Sequence, residues 1–125
     1  MSLTAEELVR ASGLSAAQVV ELEQYGLIAG RPVAGTVYYD EESFAVASMA
    51  AGFARFGVEA RHLRMYRTAA DREAGFFEQI VLPLLKQRNP EARRRALDDL
   101  GELTLLGQRL RASLLRVALR ELTGG

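Results

Sequence analysis

Between Asn89 and Leu122 only Gly101 and Gly107 interrupt an otherwise helical run of residues. Asn89 is suited to cap a helix, and Pro90 to open it, because the missing amide proton of proline falls where no helical bond is made. A helix of about 33 residues is about 50 Å long at a rise of about 1.5 Å per residue. Leu100, Leu103, Leu110, Leu114 and Val117 fall along it at coiled-coil spacing. Leu97, Leu106 and Leu119 widen the apolar surface beyond that single seam. A chain of 125 residues cannot bury both edges of such a helix in its own core. The sequence therefore predicts packing on the preceding helix and on a second subunit, with the five seam residues as dimer interface.

The rest of the chain reads as shorter elements. Thr4-Ala5-Glu6-Glu7 and Ser15-Ala16-Ala17-Gln18 are both capping boxes, in which hydroxyl and carboxylate or amide side chains reciprocally satisfy free helix-start amides. Two helices follow, to about Ser12 and about Gln24, burying Leu8 and Ala11 in the first and Val19 and Leu22 in the second. Gly13-Leu14 separates them, the sequence form of a helix-turn-helix. Residues 29–39 predict a hairpin turning near Ala34-Gly35, with one of Tyr38 and Tyr39 inward and one outward. Asp40 caps a third helix to about Phe56. A fourth runs from Glu59 to about Leu82, with Met65, Tyr66, Ala69, Phe76, Phe77 and Ile80 as its apolar stripe and Pro83 at its end or kink.

Composition removes whole classes of function. Basic and acidic residues are equal at 16 each, which counts against a self-sufficient nucleic-acid binder. The balance is uneven along the chain: residues 1–58 hold three basic and seven acidic residues, and residues 59–125 hold 13 and nine. Without cysteine, and with His62 as the lone histidine, neither a thiolate nucleophile nor a histidine–cysteine metal cluster can form. No nucleophile elbow, phosphate-binding glycine loop or H-E-x-x-H stretch occurs. The expectation is a non-enzyme in the cytoplasm, without metal, cofactor or membrane partner.

The order helix, glycine turn, helix, hairpin, helix, long helix resembles the MerR-type winged helix-turn-helix. Leu3-Thr4 with Leu8, Gly13-Leu14-Ser15, Tyr25-Gly26-Leu27-Ile28, Tyr38-Tyr39-Asp40-Glu41-Glu42 and Phe56-Gly57-Val58 are similar to that family's landmarks, in the same order. The departures matter as much. Where the family carries Arg-Tyr-Tyr in its second helix, this chain has Val20-Glu21-Leu22, and Gly35-Thr36-Val37-Tyr38-Tyr39 lacks the arginines of the wing. A second helix presenting Ala17, Gln18, Glu21 and Gln24 offers phosphates no cation.

The run Arg61-His62-Leu63-Arg64-Met65-Tyr66-Arg67, with Ala70-Asp71-Arg72-Glu73, Pro83-Leu84-Leu85 and Arg88-Asn89-Pro90, resembles the degenerate C-terminal MerR-like domain of actinobacterial FtsR-like regulators. That resemblance implies a mostly α fold: a winged helix-turn-helix core over 3–58 with a hairpin wing, then helical dimerisation elements over 59–122. It implies a homodimerising, effector-sensing part of a transcription regulator, with DNA reached through an upstream domain. His62, Tyr66, Tyr38, Tyr39 and Arg64 are its candidate effector-pocket residues, the effector being a small molecule or a protein. Two alternatives stand beside it: direct promoter binding, using Arg93, Arg94 and Arg95, and a helical protein–protein interaction module.

Overall fold

The computed structural model describes all residues, Met1–Gly125, and divides into two compact units, Met1–Asp71 and Arg72–Gly125. In chain order the elements are β1 (Leu3–Thr4), α1 (Ala5–Ser12), α2 (Ala16–Gln24), β2 (Arg31–Val33), β3 (Thr36–Tyr39), α3 (Glu41–Ala54), α4 (Ala60–Lys86) and α5 (Pro90–Thr123). The protein is mostly helical with a small antiparallel sheet. No helix is long and apolar enough to cross a membrane.

Helix starts follow the predicted caps. The Thr4 hydroxyl accepts from the Glu7 amide at 3.2 Å while Glu7 accepts from the Thr4 amide at 2.9 Å. Hydrogen bonding to the carboxyl from the Thr4 amide, and secondarily from the Thr4 hydroxyl, holds Glu7 below its ordinary range. Ser15 and Gln18 repeat the arrangement at 3.1 and 2.8 Å, and Asp40 accepts from the Ser43 amide at 2.9 Å. Asn89 accepts from the Ala92 amide at 2.8 Å, so Pro90 does open α5.

The sheet has the order β1-β3-β2, both pairs antiparallel. Ala34 and Gly35 form the two-residue turn, with φ of 50° and 85°, the left-handed values that match the twist of a hairpin. Leu3–Thr4 pairs with Tyr38 and Tyr39, a strand the sequence reading missed because two residues carry no periodicity. Pro32 lies in β2, an edge strand, where its missing amide proton breaks no central ladder.

The core of the first unit joins Leu8, Leu14, Val19, Leu22, Ile28, Tyr39, Ala47, Ala50, Ala60 and Leu63. Of the expected interior residues, Ala11 is exposed instead. Ala60 and Leu63 show that the opening turns of α4 belong to this unit.

The second unit is an antiparallel helical hairpin. Phe77 and Val81 of α4 and Ala92 and Ala96 of α5 are its buried residues. The expected stripe on α4 is therefore displaced by about one residue around the helix. Phe77 is buried as expected, but Met65, Tyr66, Ala69, Phe76 and Ile80 are exposed, while Leu63 and Val81 face inward. Pro83 does not end α4, which continues to Lys86. Pro83 and Gln79, whose carbonyl loses its helical partner, are both exposed, so water can satisfy that oxygen.

Farther along the hairpin Glu73 covers Gly107 and pairs with Arg111. A methyl group at Gly101 would meet nothing within 4 Å, whereas one at Gly107 would collide with the Glu73 carboxylate. Gly101→Ala is expected to stabilise the protein by about 1 kcal/mol, the helix-propensity difference. Gly107→Ala should gain less, because Glu73 must swing away from Arg111. Thermal unfolding of both variants checks the order.

Candidate effector and dimerisation surfaces

Around the sheet, one carboxylate ties three segments together. The Tyr39 hydroxyl donates to Glu23 Oε2 at 3.1 Å, and the Gly30 amide donates to Glu23 Oε1 at 3.2 Å. Helix α2 is thereby fastened to β3 and to the segment entering β2. Gly30 is required by close approach: a Cβ there would overlap the Val37 side chain and press on the Tyr39 ring. Sequence spacing does not reveal this clasp, because the two partners of Glu23 lie seven and 16 residues away.

Burial, then the bond to Glu23, raises the Tyr39 hydroxyl above its ordinary value of 10.0. Its neutral form is therefore favoured in the folded state. The resulting stability is present below about pH 10 and is lost as pH rises through the raised folded value. Tyr39→Phe is expected to cost about 1 kcal/mol near neutrality, the net worth of one such hydrogen bond. It should also flatten the loss of stability that sets in above about pH 10, measured by urea unfolding.

The exposed surface of α2 presents Ala17, Gln18, Val20, Glu21 and Gln24, with no cation. In the hairpin the one cation is Arg31, on β2 opposite Tyr38. Asp40 accepts the Ser43 amide bond that chiefly lowers its carboxyl, and Arg31 adds to the lowering.

The five residues expected to share an effector pocket do not share one. Tyr38 and buried Tyr39 line a recess of about 480 Å³ with Arg31 and Asp40. Arg64 lines another, of about 560 Å³, with Tyr25, Ile28, Arg67, Thr68 and Asp71. His62 and Tyr66 line neither. His62 is a helix-start residue: its Nδ1 accepts from the Glu59 amide at 2.9 Å. Tyr66 is exposed and rests its ring 5.8 Å from that of Phe53, tilted by 43°. Arg61 pairs with Glu59 at 2.8 Å and Arg67 with Asp71 at 3.1 Å, leaving Arg64 without an ion partner among the three.

On α5 the five seam residues separate into two groups. Leu100 and Leu103 are half-buried and share the helix face of Ala92, Ala96 and Gly107, the face that Glu73 covers. Leu110, Leu114 and Val117 continue the same face but are 62%, 59% and 41% exposed. Leu105, Leu115 and Leu119 form a second exposed row on the opposite side. Arg93, Arg94 and Arg95 lie at the other end of α5, all exposed.

Residues 1–123 match the family model described as the Rv1828-like, C-terminal domain. Two relatives, one from Mycobacterium bovis and one from Mycobacterium tuberculosis, are each 34% identical over 119 residues, 95% of this chain. Both are named as HTH-type transcriptional regulators. The match covers 47% of each, so the chain spans about half the length of these relatives.

Proposed function

The chain belongs to the family of Rv1828-like C-terminal domains, and from that premise we propose that it is the dimerisation and effector-sensing part of a MerR-like transcription regulator acting in the cytoplasm. The observation that carries this reading is the uncovered leucine seam of α5, where Leu110, Leu114 and Val117 stand in solvent on a helix of 34 residues. A row of water-exposed leucines at coiled-coil spacing gains free energy when a second helix covers it. The partner that matches it in register is a second copy.

The DNA-reading role falls to another part of the regulator. In this reading residues 3–58 are a winged helix-turn-helix that has lost its grip on phosphates, and residues 59–122 are the dimerising helices. Glu21 on the outer face of α2, with no cation beside it there, supports the loss. An effector would bias the relation of the two subunits and so of the DNA-reading parts joined to them. The Arg64 recess is its proposed entry, because an unpaired guanidinium beside Tyr25 and Thr68 offers a charge and a hydroxyl to orient a small molecule.

Sedimentation equilibrium of this chain tests the proposal. A species of twice 13.7 kDa at micromolar concentration is the expected result. A monomer throughout that range would overturn it.

A further inference from the structure

The turn between α4 and α5 concentrates positive charge that nothing in the fold uses. Lys86, Arg88, Arg93, Arg94 and Arg95 lie within ten residues, all exposed, with Glu91 as the only acid in that stretch. None of the five takes part in an ion pair. Asp98 and Asp99 stand one turn beyond Arg94 and Arg95, but with the acid on the C-terminal side, the weaker order for a helical pair. Two further features run against local stability. Arg93, Arg94 and Arg95 sit near the start of α5, where the helix dipole disfavours cations. Arg88 has a φ of 53°, the left-handed region that glycine or asparagine occupies more easily.

The directions of these side chains define the surface. With Ala92 and Ala96 facing inward, Arg93 and Arg95 project to opposite flanks of α5 and Arg94 straight outward. The result is a tip with cations on three sides of α5. One flank holds a recess of about 360 Å³ lined by Leu84, Leu85, Arg88, Asn89, Pro90 and Arg93, so a small anion there would meet only two of the five cations. Lys86, Arg94 and Arg95 lie outside it, and the five together fit a partner whose negative charges are repeated and widely spaced.

We propose that this tip is a phosphate-contact surface for duplex DNA, binding the backbone without reading sequence. Duplex DNA presents such charges on two strands that flank a groove about 12 Å wide, close to the about 10–12 Å diameter of a helix. The proposal rests on the regulator reading above only for the presence of DNA near the tip. It adds a contact made by residues of the second unit, separate from those of α2, which offers phosphates no cation.

Fluorescence anisotropy of the 125-residue chain with two unrelated duplexes of about 20 base pairs, between about 50 and 200 mM salt, tests it. Five phosphate contacts give a log–log salt slope of about −4.5, or about a 500-fold loss of affinity across that range, equal for both duplexes. The triple variant Arg93→Gln, Arg94→Gln, Arg95→Gln should bring the slope to about −1.8, while the triple lysine variant keeps it. Arg88→Gly should weaken binding and yet raise the melting temperature, a combination that general unfolding cannot produce.

Three results would overturn the proposal: no salt-dependent binding; an equal slope change when Arg109, Arg116 and Arg120 are replaced by Gln instead; or displacement of the duplex by polyglutamate at equal charge. A preference for one duplex that depends on α2 would instead overturn the proposed loss of DNA reading, so the two failures are distinguishable.

Discussion

Replacing Leu110 and Leu114 together by aspartate is expected to dissociate the proposed dimer, raising its dissociation constant about 1,000-fold. Both side chains are more than half exposed in the single chain, so the substitutions remove little of its own packing. In a two-fold dimer each substitution acts twice, so four leucines leave the interface. A loss of about 1 kcal/mol for each, below the full burial value of about 1.5–3 kcal/mol, gives about 4 kcal/mol and hence the 1,000-fold change. Four carboxylates brought together add repulsion in the same direction. Leu105→Asp supplies the control, since Leu105 lies on the opposite face of α5 at 46% exposure. Sedimentation should show the Leu110/Leu114 variant as a monomer and the Leu105 variant as a dimer. The reverse pattern would move the interface to the outer row of leucines.

Leu8→Ala should produce the largest loss of stability, about 3 kcal/mol. Leu8 is completely buried, and the elements around it are short and mutually tied: α1 packs against α2 and α3 and continues directly from β1. Truncation leaves a cavity that such a framework fills poorly, which places the cost in the usual range of about 2–5 kcal/mol. Leu97→Ala, at a position 54% exposed, should change stability by less than about 0.5 kcal/mol. Urea unfolding followed by circular dichroism checks the pair. A Leu8 variant as stable as the parent would contradict the packing of the first unit.

Much of the helical layout was legible in the sequence because local chemistry carries it. Thr4, Ser15, Asp40 and Asn89 each make their capping bond to an amide three residues on, a distance that sequence spacing specifies directly. The Ala34-Gly35 turn is equally local. The candidate effector residues were less legible. His62 and Tyr66 share a helix face with Ala69 in sequence, yet His62 turns back to its own helix start and Tyr66 leans on Phe53.

The stretch from Pro90 to Thr123 marks the division most clearly. Its sequence alone determined a single long helix, because the N-cap and the apolar repeat both act within a few residues. Only tertiary structure decided which part of the seam the chain covers for itself. Leu100 and Leu103 share the face packed in the hairpin, while Leu110, Leu114 and Val117 remain in water. The same holds for Glu23, whose bonds to Gly30 and Tyr39 need the hairpin folded onto α2 before they exist. Periodicity reports that a face is apolar. What covers it depends on contacts between residues far apart in the chain, which no local pattern encodes.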